Sequence, residues 1–350
     1  MPPLVSLSPS KIAIWQDCPR RFYLQYVQRR RSVGVWAHLS LGQAIHAALK
    51  DWFDEPMAST DFPESAPVRD HTTLQALMLR HWSSAGFADE QQSTQWRHWA
   101  VAVTWQYLQT HQAQVNTIPH SRERTLAART EHAAIQGRID RLDVDGPDLV
   151  VIDYKTGSSV PGVEQARSSL ALALYAACVQ QSLRRPCRRV ELHHVPSGVV
   201  AAWEHSDEAI ARQLRRVDQI AQDIREQQLL VSQGASVDEI YPPKIGGLCA
   251  FCGFRDTCPE GSAARQHVNP GRDSRAWPLT FPRRSTRSEP RQCVVHHDHR
   301  RRHHRVMFPR LGSWPQQAAG QIDQRGSPVA CRAFDHRLGK PQSEDSRAPW

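Results

Sequence analysis

The stretch from residue 133 to residue 155 limits the folding of this chain more than any other. Small and apolar residues alternate through Ile135, Gly137 and Ile139, followed by Leu142 and Val144. The turn signal Asp145-Gly146-Pro147-Asp148 comes next, then the unbroken apolar run Leu149-Val150-Val151-Ile152. Alternation, turn and apolar run together spell a β-hairpin. With the turn centred between Gly146 and Pro147, residues equidistant from that point face each other, and Asp140 opposes Asp153. Opposed residues on antiparallel strands hold their Cβ atoms about 4.5–5.5 Å apart, close enough for one cation to bridge two acids. Lys155 lies two residues beyond Asp153 and therefore projects from the same face.

Two facing carboxylates repel unless a proton or a cation lies between them. Hard oxygen ligands with open positions suit Mg2+ or Mn2+. A cation held there could activate a water and stabilise charge on a phosphoryl oxygen, with Lys155 beside it. The same geometry also suits a surface salt-bridge cluster, so the hairpin alone leaves both readings open.

The residues before the hairpin read as helical. Ser8 suits an N-cap and Pro9 the first helical position. Asp17-Cys18-Pro19 ends that helix and starts another, which carries Phe22, Tyr23, Tyr26 and Val27. Apolar residues at 41, 44, 45, 48, 49, 52 and 53 give an amphipathic helix over 41–54 with His46 on its flank. Further helices are expected over 71–84 and 93–114, and after the hairpin over 168–181. A strand is expected over 188–195, where His193 and His194 have no acid at ligand spacing and read as structural. Ile210, Leu214, Val217, Ala221 and Ile224 form a core-facing helical stripe.

The net charge of +9 suggests a nucleic-acid surface until it is located. Residues 266–350 hold 16 of the 44 Lys and Arg but only 7 of the 35 Asp and Glu, so the first 265 residues are balanced. This tail has no sustained period and contains the run His296-His297-Asp298-His299-Arg300-Arg301-Arg302-His303-His304-Arg305. Such composition is expected to stay disordered. It suits a basic phosphate-binding arm, a His-rich metal tract, or a segment without an evolved role, as a GC-rich gene read out of frame would give. The longest apolar run, 170–179, is well short of the roughly 18–20 residues that cross a bilayer. The start of the chain lacks the pattern of a secretory signal. A cytoplasmic protein without membrane contact is expected.

Eight cysteines without a signal argue for metal binding or buried thiols over a disulfide framework. Cys249, Cys252 and Cys258 form a C-x2-C-x5-C group that needs a fourth ligand, and spacing alone fits zinc as well as iron. Cys178, Cys187, Cys293 and Cys331 have no such spacing and read as buried or incidental.

Gly137-Arg138-Ile139-Asp140-Arg141-Leu142-Asp143 and Val151-Ile152-Asp153-Tyr154-Lys155-Thr156-Gly157 resemble the two core motifs of PD-(D/E)xK nucleases. The likeness is to the RecB-like exonuclease group, relatives of the CRISPR-associated exonucleases and the AddB nuclease domain. Gly42-Gln43-Ala44-Ile45-His46 resembles the group's helical G-x-x-x-H element. Ser8-Pro9-Ser10 through Asp17-Cys18-Pro19-Arg20-Arg21-Phe22-Tyr23 resembles its opening, and the C-x2-C-x5-C group its last motif. The resemblance spans about residues 6–262 in the group's own order.

It implies that His46, Asp140, Asp153 and the backbone carbonyl of Tyr154 hold Mg2+ or Mn2+, while Lys155 serves the attacking water. It also implies a 4Fe-4S cluster on Cys18, Cys249, Cys252 and Cys258, clasping the first helices to the end of the nuclease domain. One departure stands out. The group follows its lysine strand with Q-x-x-x-Y on a helix; Tyr175 matches and is a candidate catalytic residue, but Ala171 occupies the glutamine position. Gln165 lies ten residues before Tyr175, too far to substitute.

The expected architecture is α/β, a restriction-endonuclease-like core whose mixed central sheet is flanked by helices. Residues 1–118 form a helical N-terminal part, 119–205 the nuclease core, 206–265 a C-terminal helix and cysteine loop, and 266–350 the basic tail. The expected activity is metal-dependent DNA hydrolysis, exonucleolytic on single-stranded ends, in DNA repair or recombination beside a helicase or repair partner. Two alternatives are a catalytically weak DNA-binding scaffold, which Ala171 favours, and a zinc-stapled interaction module working through its basic tail.

Overall fold

A computed structural model describes residues 3–32, 34, 36–54, 69–111 and 119–264, with two isolated strands further on. Its centre is a six-stranded mixed sheet of β1 (Val5–Leu7), β2 (Ser121–Arg129), β3 (Ala133–Asp145), β4 (Asp148–Lys155), β5 (Arg189–His194) and β6 (Val199–Glu204). The long strand β3 pairs antiparallel with β2 along one edge. Its other edge takes β1 in parallel over its first residues and β4 antiparallel over its last. Beyond β4 come β5, parallel, and β6, antiparallel. The hairpin register is the one the turn dictates, from Asp145 opposite Asp148 to Arg141 opposite Ile152.

Helices cover both faces. On one side lie α3 (Ala37–Asp54), α4 (His71–His81) and α5 (Glu90–Thr110), packed on Val150, Ile152 and Tyr154 of β4. The stripe read from the sequence of α3 is buried at all seven positions, from Leu41 to Phe53. Asp70 and Asp89 cap α4 and α5, accepting the N–H of Thr73 at 2.8 Å and of Gln92 at 2.7 Å. The other face carries α1 (Pro9–Asp17), α2 (Pro19–Phe22) with a π-turn over Tyr23–Val27, α6 (Val163–Ser168), α7 (Leu170–Leu183) and α8 (Asp207–Ser232). Ser8 caps α1 through the N–H of Lys11, with Pro9 in the first turn as expected. The helix expected over 168–181 is α7, which starts at Leu170 because Ser169 is extended and caps it through the N–H of Leu172; α6 before it was not foreseen.

β2 was not foreseen as a strand, since its charged sequence buries only Leu126 and Ala128. Its outer edge is closed by side chains of α7. Ser182 Oγ accepts the N–H of Ala127 and donates to its carbonyl, while Gln181 does the same for Arg129. Such caps block the end of that edge against another strand.

The expected disorder of 266–350 lies outside the described residues, apart from β7 (Gln292–Val294) and β8 (Arg305–Met307), which pair with each other. No helix among the described residues is long and apolar enough to cross a membrane.

Candidate active site

The sheet is interrupted at one row. Pairing of β2 with β3 runs through Arg122 opposite Arg141 and resumes at Arg124 opposite Ile139, skipping Glu123 and Asp140. Pairing of β3 with β4 stops at Arg141 opposite Ile152, one step before Asp140 would meet Asp153. Three acids, Glu123, Asp140 and Asp153, therefore occupy one row across three strands where both ladders open. Glu123 has φ 45°, a left-handed conformation unusual for a residue with a side chain. Asp140 Oδ2 accepts the backbone N–H of Tyr154 at 2.8 Å, so a carboxylate satisfies the donor where the strands part.

His46 reaches this row from α3. A Cβ on Gly42, one turn earlier, would lie 3.0 Å from Thr156 Oγ1, so the glycine lets the helix come close to the end of β4. His46 Nδ1 is 3.3 Å from Asp140 Oδ1 and 3.9 Å from Glu123 Oε1. Ligand atoms of His46, Glu123 and Asp140 all lie within 4.8 Å of one another, a donor set that fits a divalent cation. Asp153 stands outside that trio, its Oδ2 2.5 Å from Lys155 Nζ. The hairpin thus brings Asp140, Asp153 and Lys155 to one place as expected, but the closest set around His46 is completed by Glu123.

The electrostatics match crowded acids. Burial raises the Asp153 pKa and the charge of Asp140 adds to this, against the pull of Lys155. Burial likewise raises Glu123, helped by Asp140 and opposed by Arg138 and His46. For His46 burial alone would lower the pKa, yet Asp140, Asp153 and Glu123 outweigh it and hold it above its ordinary value. A cation entering the row would relieve the repulsion that lifts the two acids.

Tyr175 lies against the same row. Its ring occupies the space of a Cβ on Gly137, 2.7 Å from the nearest ring carbon, which explains the glycine of the first core motif. Burial raises the Tyr175 pKa, and Asp153 and Asp140 raise it further. Gln165 accepts the N–H of Gly162 at 2.8 Å and so caps its own helix, α6.

His193 and His194 serve the fold. His193 Nε2 donates to Glu191 at 2.7 Å and Nδ1 accepts from the Tyr107 hydroxyl at 2.7 Å, all buried between β5 and α5. Glu191 is the acid that sequence spacing did not connect. Arg188 pairs with Asp207, and Arg185 donates to the carbonyls of Gly146 and Pro147. Both arginines are spent on structure.

Cys18, Cys249, Cys252 and Cys258 line one cavity together with Arg21 and Lys244. Cys18 is brought there by docking of the N-terminal helices on the segment after α8. Arg20 donates to the Tyr241 carbonyl at 2.9 Å and to Asp238, Lys244 donates to the Gln16 carbonyl at 3.2 Å, and the Tyr23 and Tyr241 rings lie 4.8 Å apart. Four thiols around one cavity form a donor set that suits zinc or an iron-sulfur group. Cys178 and Cys187 are buried elsewhere.

A family model, the PD-(D/E)XK nuclease superfamily, matches residues 6–259. The chain belongs to that superfamily. Its mixed sheet flanked by helices is consistent with a restriction-endonuclease-like core, and nucleases of this superfamily use divalent metals, for which the acidic row supplies ligands. Two solved structures are similar. One is a candidate exonuclease from Eubacterium rectale, 10% identical with a TM-score of 0.45, covering 70% of this chain and 85% of that one. The other is SSO0001, 13% identical with a TM-score of 0.34, covering 74% of this chain and 88% of that one. No curated protein matches.

Glu123 is the site residue that sequence reading missed. The charged stretch Ser121-Arg122-Glu123-Arg124-Thr125 carries no apolar alternation to mark it. Only pairing with β3 brings it opposite Asp140.

Proposed function

We propose that this protein is a Mg2+- or Mn2+-dependent deoxyribonuclease of the RecB-like group, acting on single-stranded DNA ends in repair or recombination. The observation that carries this reading is the row Glu123–Asp140–Asp153, open in both ladders and flanked by His46 and Lys155. His46, Asp140, Asp153 and the Tyr154 carbonyl would hold the cation, with Glu123 as a further acid ligand. Bound there, the ion supplies Lewis acidity toward the phosphodiester and makes a water more acidic.

The chain's own groups do the rest. Asp140 fixes the Tyr154 backbone through its N–H and so sets where the neighbouring carbonyl lies. Lys155 carries an ammonium beside Asp153, from which it would orient the attacking water and offset charge building on phosphorus. Tyr175, packed on Gly137, keeps its phenol protonated and would donate to a phosphate oxygen or to Asp153. Residues 119–205 would form the catalytic core, with 1–118 supplying His46 and Cys18.

Cys18, Cys249, Cys252 and Cys258 would bind a 4Fe-4S cluster, a reading supported by the four thiols that line one cavity. Ala171, where the group carries glutamine, favours the second reading of a DNA-binding scaffold with little turnover.

The test is anaerobic purification with iron and zinc analysis, followed by cleavage of end-labelled single-stranded and duplex DNA in Mg2+, Mn2+ and EDTA. Metal-dependent cleavage of single strands with bound iron is expected. Tight DNA binding without cleavage in either metal would select the scaffold reading, and stoichiometric zinc without iron would remove the cluster.

A further inference from the structure

Arg138 stands at the mouth of the acidic row with its charge shared in one direction. It lies two residues before Asp140 on β3, and its Nε is 2.5 Å from Glu123 Oε2. The two partners differ sharply in exposure, with 69% of the Arg138 side chain open to solvent against 10% for Glu123. The same Glu123 carboxylate is also a member of the trio with His46 and Asp140. One largely covered acid therefore faces an exposed guanidinium on one side and a cation-binding donor set on the other. It cannot serve both at full strength, because a divalent cation drawing on the carboxylate leaves less negative charge for the arginine. The other basic groups nearest the row are engaged differently. Lys155 is held by Asp153, Arg122 by Asp54, and Arg141 is buried against Asp143 and the Phe53 ring.

We propose that Arg138 is a phosphate-binding residue gated by Glu123: cation entry among His46, Glu123 and Asp140 takes the Glu123 carboxylate, and the released guanidinium receives a phosphodiester of the nucleic acid. The planar fork of arginine suits two phosphate oxygens at once, and on an exposed stem it can swing to reach them. Phosphate grip would then be coupled to metal loading, so that nucleic acid is held firmly where it can be cut. This inference rests on the nuclease reading of the site and adds a binding residue to it.

The experiment uses the full chain and two readouts without turnover. Mn2+ binding is measured by calorimetry in the absence of DNA, for wild type and Arg138→Ala. Binding of a fluorescent single-stranded oligodeoxynucleotide is measured by anisotropy in Ca2+ and in EDTA. Arg138→Ala is expected to bind Mn2+ about two- to fivefold more tightly, because an exposed competing cation is gone. In Ca2+ it should bind the oligonucleotide about tenfold more weakly, as expected for a lost charged hydrogen bond. In EDTA it should bind as wild type does, and Arg138→Lys should recover part of the loss. Glu123→Gln should erase the difference between Ca2+ and EDTA by leaving Arg138 free in both.

Equal loss of DNA affinity in Ca2+ and EDTA would reduce Arg138 to an ungated surface charge and overturn the proposal. So would unchanged Mn2+ affinity in Arg138→Ala, or unchanged DNA affinity in Ca2+. A wild-type protein that binds no Mn2+ would instead overturn the nuclease reading itself, a different result from wild type that binds Mn2+ and cleaves while Arg138→Ala shows none of these effects.

Discussion

The acidic row and the cysteine cavity both gather residues distant in sequence, but they are held by opposite means. Around the acids the backbone is largely satisfied by ladders on β2, β3, β4 and β5, which open at the row itself. Around the cysteines there are short 3-10 turns at Gly247–Phe251 and Arg255–Thr257 and a six-residue helix, with no ladder. Cys18 is brought to them by α1 and α2, which share a buried cluster with Tyr241 and Phe254 and add side-chain bonds across 221 and 228 residues. The acidic row should therefore stand without its cation, whereas the cavity should depend on what the thiolates hold.

The largest effects expected separate chemistry from folding within the row. Asp153→Ala and Asp140→Ala should each reduce cleavage by about a thousandfold or more, as losses of acid ligands and charge stabilisation do. Their melting curves should diverge. Asp153→Ala removes a buried, repelled carboxylate and should melt no lower than wild type. Asp140→Ala strands the Tyr154 N–H and should cost about 1–3 kcal/mol. Equal destabilisation by both would mean that Asp140 does not hold the parting strands.

The contrast between the two regions is tested next by Cys18→Ala. The variant should lose bound iron and its visible absorption and melt several degrees lower, while Cys178→Ala keeps the iron. If Cys18→Ala retained full iron, Cys18 would not be a ligand, and the cavity would not depend on the N-terminal helices.

A smaller effect lies under the sheet, where ladder and buried charge meet. Burial alone would raise the Glu191 pKa, yet His193 and Arg189 pull it down to about 2. A depressed carboxylate adds stability that is present above its unfolded value, near 4.3, and is lost as pH falls through the folded one. Stability should therefore drop between about pH 4.5 and pH 2, by on the order of 3 kcal/mol from this group. Glu191→Gln should lower stability at pH 7 and flatten that acid limb in urea titrations. An acid limb as steep as that of wild type would rule Glu191 out as its source.

The smallest expected change is Gly137→Ala. The new methyl group would meet the Tyr175 ring at 2.7 Å, and overpacking of this kind costs about 1–3 kcal/mol. Cleavage should fall with it if Tyr175 has a role at the row, and Tyr175→Phe alone should then separate loss of the hydroxyl from displacement of the ring. Loss of stability with unchanged cleavage would confine Tyr175 to packing.

Much of this was legible in the chain because it is local. A turn of known type fixes a hairpin register, and the register alone sets Asp140 against Asp153 with Lys155 alongside. A helical stripe fixes which face of α3 is buried, and so leaves His46 on the flank. The C-x2-C-x5-C spacing already keeps three thiols close together, and they line one cavity. Tertiary structure decided the rest, since those facts depend on which surfaces meet. Glu123 becomes a site residue only because β2, weak in apolar pattern, is clamped between β3 and the Ser182 and Gln181 caps. Glu191 and His193 become a buried pair only because α5 lays Tyr107 over β5. Spacing along a chain encodes neighbours within one element or across one tight turn; partners supplied by packing of separate elements are chosen by total burial, which no local pattern carries.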